Sequence, residues 1–135
     1  MGQVLSGVRV IMQAGDYPLI DFQVLGRLSD LLTHEDLRDM LERALEYLVG
    51  LSGELEAELT RQELGQLSHK SKGSMGAMGL SRFSHLAQEI EWRCAEGLAT
   101  PHDQSRLTKV VLDTRSAIES FLQTGLVGTS PRIPL

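Results

Sequence analysis

The sequence holds a single cysteine, Cys94, so it cannot form an internal disulfide. Flanked by helix formers, that thiol reads as a buried one, and a reducing cytoplasm is the expected setting. Aromatic residues are only 4% of the chain against 41% hydrophobic in all, so any core must be aliphatic. Lys and Arg never gather into a stripe, and 13 basic against 18 acidic residues leave a net charge of −5. A nucleic-acid binder needs a basic patch to meet phosphates, so that class is disfavoured. No stretch approaches the roughly 18 consecutive apolar residues of a membrane span. Residues 4–11 are too short for a signal-peptide core and are broken by Ser6, Gly7 and Arg9. A P-loop, a GxSxG elbow and a GxGxxG turn after a strand are also missing.

What is present suits one all-helical domain, since 135 residues can bury one core and not two. Residues 1–19 show no helical period; 8–11 could be a strand or part of a mobile arm, and 15–18 read as a turn. The opening Met1-Gly2-Gln3-Val4-Leu5-Ser6 matches a loose N-myristoylation pattern short enough to arise by chance.

Five helices are expected after that arm. The first runs from an Asp21 cap to about Leu32, with Phe22, Leu25, Leu28 and Leu32 on one side. The second opens at Thr33, with Asp36 at the capping-box position. It carries Leu37, Leu41, Ala44, Leu48, Leu51 and Leu55 at alternating spacings of four and three. The third starts at the capping box Thr60 and Glu63 and ends near Met78 at Gly79. The fourth spans about 80–96, with Phe83, Leu86, Ala87, Ile90 and Cys94 inward and Gly97 as its stop. The fifth has Thr100 as cap, Pro101 at its first position and Asp103 in its first turn. Its apolar side is Leu107, Val110, Val111, Ile118, Phe121 and Leu122, and Gly125 closes it. Short linkers make neighbours antiparallel. The expected fold is an all-α antiparallel four-helix bundle over 20–124. The short first helix caps one end, and 125–135 form a mobile tail.

The third helix breaks the usual pattern. At about 100° per residue, Leu64, Leu67, Met75 and Met78 cluster within roughly 80° together with Ser71. The other side holds Gly65, Gln66, His69, Lys72, Gly73 and Gly76. Each helical glycine costs roughly 0.5–1 kcal/mol relative to alanine. Three of them around one histidine therefore suggest a bared surface that a partner protein can approach, although glycines also permit close helix packing. Lys72 lies one turn from His69, where its ammonium could neutralise charge developing on a phosphoryl group. Against this stands the ordinary reading of a solvated histidine near a lysine.

The stretch His69-Lys70-Ser71-Lys72-Gly73-Ser74-Met75-Gly76-Ala77-Met78-Gly79 resembles the signature of the histidine-containing phosphotransfer (HPt) domain. That signature has a lysine three and a glycine four residues after the phosphorylated histidine, then small residues, and a glycine ten after it. With the helix order, the resemblance covers roughly 20–123. It implies a phosphoryl carrier, not an enzyme. His69 would take a phosphoryl group from a receiver-domain aspartate by Nε2 and pass it to another response regulator's receiver. The partners implied are such receivers and a sensor or hybrid histidine kinase, with Gly65, Gln66, Gly73 and Gly76 at the docking surface. The chain itself would need no cofactor, and Mg2+ would sit in the receiver. Position 91, twenty-two after the histidine, often carries a polar group bonded to the imidazole. Here it is Glu91, which could accept from Nδ1 or be a solvated carboxylate. Position 71 is usually apolar in the family; Ser71 should bond back to a carbonyl one turn earlier.

His34 and His102 are expected to be solvated and His85 to lie off the fourth helix's apolar stripe. No two histidines have i, i+4 spacing, so no metal site is expected. A monomer is expected. The competing reading is a helical adaptor that binds signalling partners without being phosphorylated; a self-phosphorylating kinase would need an ATP-binding domain the chain has no room for.

Overall fold

The computed structural model describes residues 12–124. The possible strand at 8–11 (apart from its neighbours at 12–19), the myristoylation pattern and the tail at 125–135 fall outside them. Among the described residues there are five α-helices, one short 3-10 helix and no strand. The 3-10 helix is Ala14–Asp16, and the α-helices are α1 (Phe22–Ser29), α2 (His34–Glu54), α3 (Arg61–Ala77), α4 (Ser81–Ala95) and α5 (Pro101–Thr124).

Local chemistry sets the ends. Asp21 caps α1 by accepting from the Gln23 N–H, and Thr33 caps α2 by accepting from the Asp36 N–H. At α3 the capping box is complete: the Thr60 hydroxyl accepts from the Glu63 N–H, and the Glu63 carboxylate accepts from the Thr60 N–H. Gly79 and Gly97 stop α3 and α4 in the left-handed region, with φ of 84° and 73°. The helix ends lie within a few residues of the positions expected from sequence, α1 stopping three residues early.

The apolar spacing of α2 is buried throughout, from Leu37 through Leu41, Ala44, Leu48 and Leu51 to Leu55. Phe83, Leu86, Ala87, Ile90 and Cys94 of α4 and the expected side of α5 join the same core. Each fully buried leucine here stabilises the fold by a few kcal/mol at most, about 2–5 if truncated to alanine.

Two helix pairs make contacts in opposite chain order. Gln104 of α5 reaches the Leu55 carbonyl after α2, while Arg38 near the start of α2 meets the Leu122 carbonyl near the end of α5. Arg93 and Glu89 of α4 meet Asp103 and Arg106 of α5. The closest pair is α3 with α4. The α1 entry lies over the turn between these two: the Asp21 N–H donates to the Gly79 carbonyl at 2.7 Å. Residues 12–19, left without an element from sequence, pack here too. Arg82 holds the Tyr17 and Pro18 carbonyls, and Tyr17 stacks on His85 at 3.5 Å.

Candidate functional site

The α3–α4 pair positions the site. His69 stands on the outer side of α3, with 69% of its side chain exposed. Its Nδ1 lies 2.6 Å from Oε2 of Glu91 on α4. The other oxygen of the same carboxylate, Oε1, lies 2.5 Å from the Lys72 ammonium. Glu91 thus bridges the ring and the lysine from across the helix seam. The Lys72 ammonium, and after it the His69 ring, hold the Glu91 carboxyl below the ordinary carboxylate range, although burial pushes the other way. An ionised carboxylate can only accept, so Nδ1 donates to it. The ring's lone pair then falls on Nε2, which has no hydrogen-bond partner among the described residues.

The glycines of α3 divide into two kinds: two serve the close helix packing that the sequence left open beside a bared face, and one does not. A Cβ on Gly76 would come within 2.7 Å of the Ser84 hydroxyl oxygen, and one on Gly65 within 3.1 Å of the Cys94 Cβ. Both glycines therefore let α4 approach α3, and each stays partly exposed at the seam between the two helices. Of the three α3 glycines on this side only Gly73 opens onto empty space. A helical wheel sorts inner from outer positions on one helix; it does not say which outer flank a neighbouring helix covers. The contacts Gly65–Cys94, His69–Glu91 and Gly76–Ser84 run in reverse order along the two helices, so the glycine contacts bracket the ring–carboxylate pair. Between them the helices come close enough for a glutamate to reach both partners. Ser84 seals one end by donating to the Lys72 carbonyl at 2.8 Å.

Beneath the site, Ser71 is buried and its hydroxyl donates to the Leu67 carbonyl at 2.9 Å, the back-bond expected of a polar residue on the inner side. Tyr47 of α2 lies against it, and burial pushes the Tyr47 phenol up. Met78 is only partly buried, whereas Ser68, which the sequence did not place inward, is fully buried.

A shallow groove leads away from His69 between α3 and α4. Arg61, Gln62, Gln66 and Ala95 form its sides, and Gly65 and Cys94 its floor. Gln66 is exposed on this groove. His34 and His102 are exposed and distant in sequence from any of these contacts, and His85 serves the Tyr17 stack. Among the described residues, no three His, Cys, Asp or Glu side chains form a group able to hold a metal ion, and no helix is long and apolar enough to cross a membrane.

Sequence reasoning missed two features. Ser84 carries no motif signal, and only the steric demand on Gly76 makes its position meaningful. Asp103 lies in the first turn of α5 as expected, and it is buried, which the sequence did not indicate. It accepts from the Thr100 N–H and from both Arg93 and Arg106.

Neither the curated proteins nor the solved structures compared gave a match to the chain. A family model described as the Hpt domain matches residues 27–124, which takes in α2 to α5 and every residue of the site. The chain therefore belongs to the Hpt domain family, whose members are phosphocarrier modules of histidine phosphotransfer relays.

Proposed function

We propose that this protein carries a phosphoryl group on His69, accepting it from the aspartyl phosphate of one receiver domain and delivering it to the aspartate of another. The observation that carries this reading is an exposed imidazole whose Nδ1 is held by Glu91, with its Nε2 free of partners and Lys72 beside it. Neutral imidazole nitrogen is a competent nucleophile at phosphorus, and transfer between carriers needs positioning and charge neutralisation more than covalent chemistry from the protein. His69 supplies the nucleophile. Lys72 supplies the charge for the phosphoryl oxygens by leaving Oε1 of Glu91. Gly73 and Gln66 leave room for the receiver to bring its own phosphate, and the Mg2+ bound to it, against the ring. On the same reading α2 to α5 are an antiparallel four-helix body with α1 over one end, and the chain works as a monomer in the cytoplasm.

The test is transfer from a phosphorylated receiver. Label that is lost in acid and kept in base should appear on the wild type and be absent from His69→Gln. A receiver from the same organism that binds the protein tightly yet transfers nothing to the wild type would favour the unphosphorylated adaptor instead.

A further inference from the structure

If His69 is the carrier residue, as proposed above, the proton on its Nδ1 becomes part of the chemistry. In the accepting step the Nε2 lone pair forms a bond to phosphorus. The phosphorus–oxygen bond of the aspartyl phosphate breaks, and its electron pair leaves with the carboxylate. The ring keeps its Nδ1 proton and becomes positively charged. In the delivering step the nitrogen–phosphorus electron pair must return to Nε2. A ring that still holds the Nδ1 proton departs as neutral imidazole. A ring that has lost it must depart as an imidazolate anion, a far poorer leaving group.

We propose that Glu91 is a positioning residue that keeps the Nδ1 proton on the phosphorylated ring and so sets the upper pH limit for phosphoryl discharge. Three features support this. The carboxylate is directly on Nδ1 at 2.6 Å, on the side of the ring away from Nε2. It is only 28% exposed, so its charge is less screened than one in open water. Its second oxygen is engaged by Lys72, and that pairing weakens its pull on the ring only while Lys72 stays. Phosphoryl oxygens arriving at Nε2 compete for the ammonium. As Lys72 turns to them, the full charge of Glu91 falls to the ring. The charged groups at the ring are then Glu91 from α4, Lys72 and its near neighbour Lys70 from α3, and, along the groove, Arg61 from the start of α3. Glu91 is the single anion among them.

Glu91→Gln separates charge from geometry, since a glutamine carbonyl can still accept from Nδ1. Wild type and E91Q are phosphorylated with phosphoramidate, which needs no receiver, and the loss of phosphohistidine is followed by phosphorus NMR between pH 6 and 10. An adjacent charge moves a titration by about 1–3 units. The pH at which the loss rate falls to half its plateau should therefore be about one unit or more lower in E91Q. At a pH well above both midpoints E91Q should lose its phosphoryl group about tenfold more slowly. Nitrogen-15 shifts of the wild-type phosphorylated ring give a second reading: Nδ1 should stay protonated to higher pH than in free phosphohistidine. Coincident profiles for wild type and E91Q, or a wild-type ring that titrates like the free amino acid, would overturn the role of Glu91 and leave His69 as carrier intact. Absence of label on the wild type would remove both.

Discussion

Two carboxylates of this protein each bridge two nitrogen-bearing side chains, and their settings differ. Asp103 sits between Arg93 and Arg106 with its side chain 2% exposed. Glu91 sits between His69 and Lys72 with its side chain 28% exposed and a flexible lysine as one partner. A buried carboxylate with a backbone N–H and two guanidiniums has no spare partner to exchange; its contacts hold α4 against the start of α5. A partly exposed carboxylate paired with a lysine on a flexible stem can release that ammonium to a new anion. Burial and the stiffness of the partner side chain, more than the count of contacts, divide a purely structural bridge from one that could take part in the proposed transfer.

That contrast can be broken by truncation. Asp103→Ala should cost about 1–3 kcal/mol in urea unfolding, because the Thr100 N–H loses its acceptor and two guanidiniums lose a charged hydrogen-bond partner. Glu91→Ala should cost less than about 1 kcal/mol, as partly exposed pairs usually do. Equal costs for the two would remove the distinction.

The seam around Glu91 comes next. Gly76→Val should destabilise by about 1–3 kcal/mol, since even its Cβ would press on the Ser84 hydroxyl. Adding Ser84→Gly should recover part of the loss, and a double-mutant cycle of unfolding free energies measures how much. A Gly76→Val protein of unchanged stability would show that α3 and α4 are not held this close. The opposite sign is expected at Gly73, which faces nothing within 4 Å. There Gly73→Ala should stabilise the helix by about 0.5–1 kcal/mol.

Acid gives a further comparison. Burial alone would push the Asp103 carboxyl up. The Thr100 N–H and the guanidiniums of Arg93 and Arg106 outweigh it and hold the carboxyl below its ordinary value. Its contribution is therefore present above the ordinary carboxylate range and is lost as pH falls through the lowered value. Unfolding free energy should drop as pH falls below about 4, and Asp103→Asn should flatten that drop. Glu91 is lowered for a like reason, by Lys72 first, and being more exposed should contribute the smaller share.

The helices were legible because their signals are local. Capping residues at Asp21, Thr33 and Thr60, stop glycines at 79 and 97, and the four-and-three spacing of α2 all act within a turn or two. His69, Lys72 and Glu91 were legible through their spacing and the family signature. For Gly65 and Gly76 the sequence left a bared face and close helix packing both open, because the choice depends on where α4 lies across α3. The burial of Asp103 was not legible for the same reason: burial at a helix start is decided by what packs over it, here Arg93 from α4 and Arg106 one turn on.

The most direct measurement is on the ring itself. With nitrogen-15 in the histidines, protein that has received its phosphoryl group should show phosphorus coupling at Nε2 of His69, with Nδ1 still protonated and bonded to Glu91. Coupling at Nδ1, at another histidine, or at none would contradict the account.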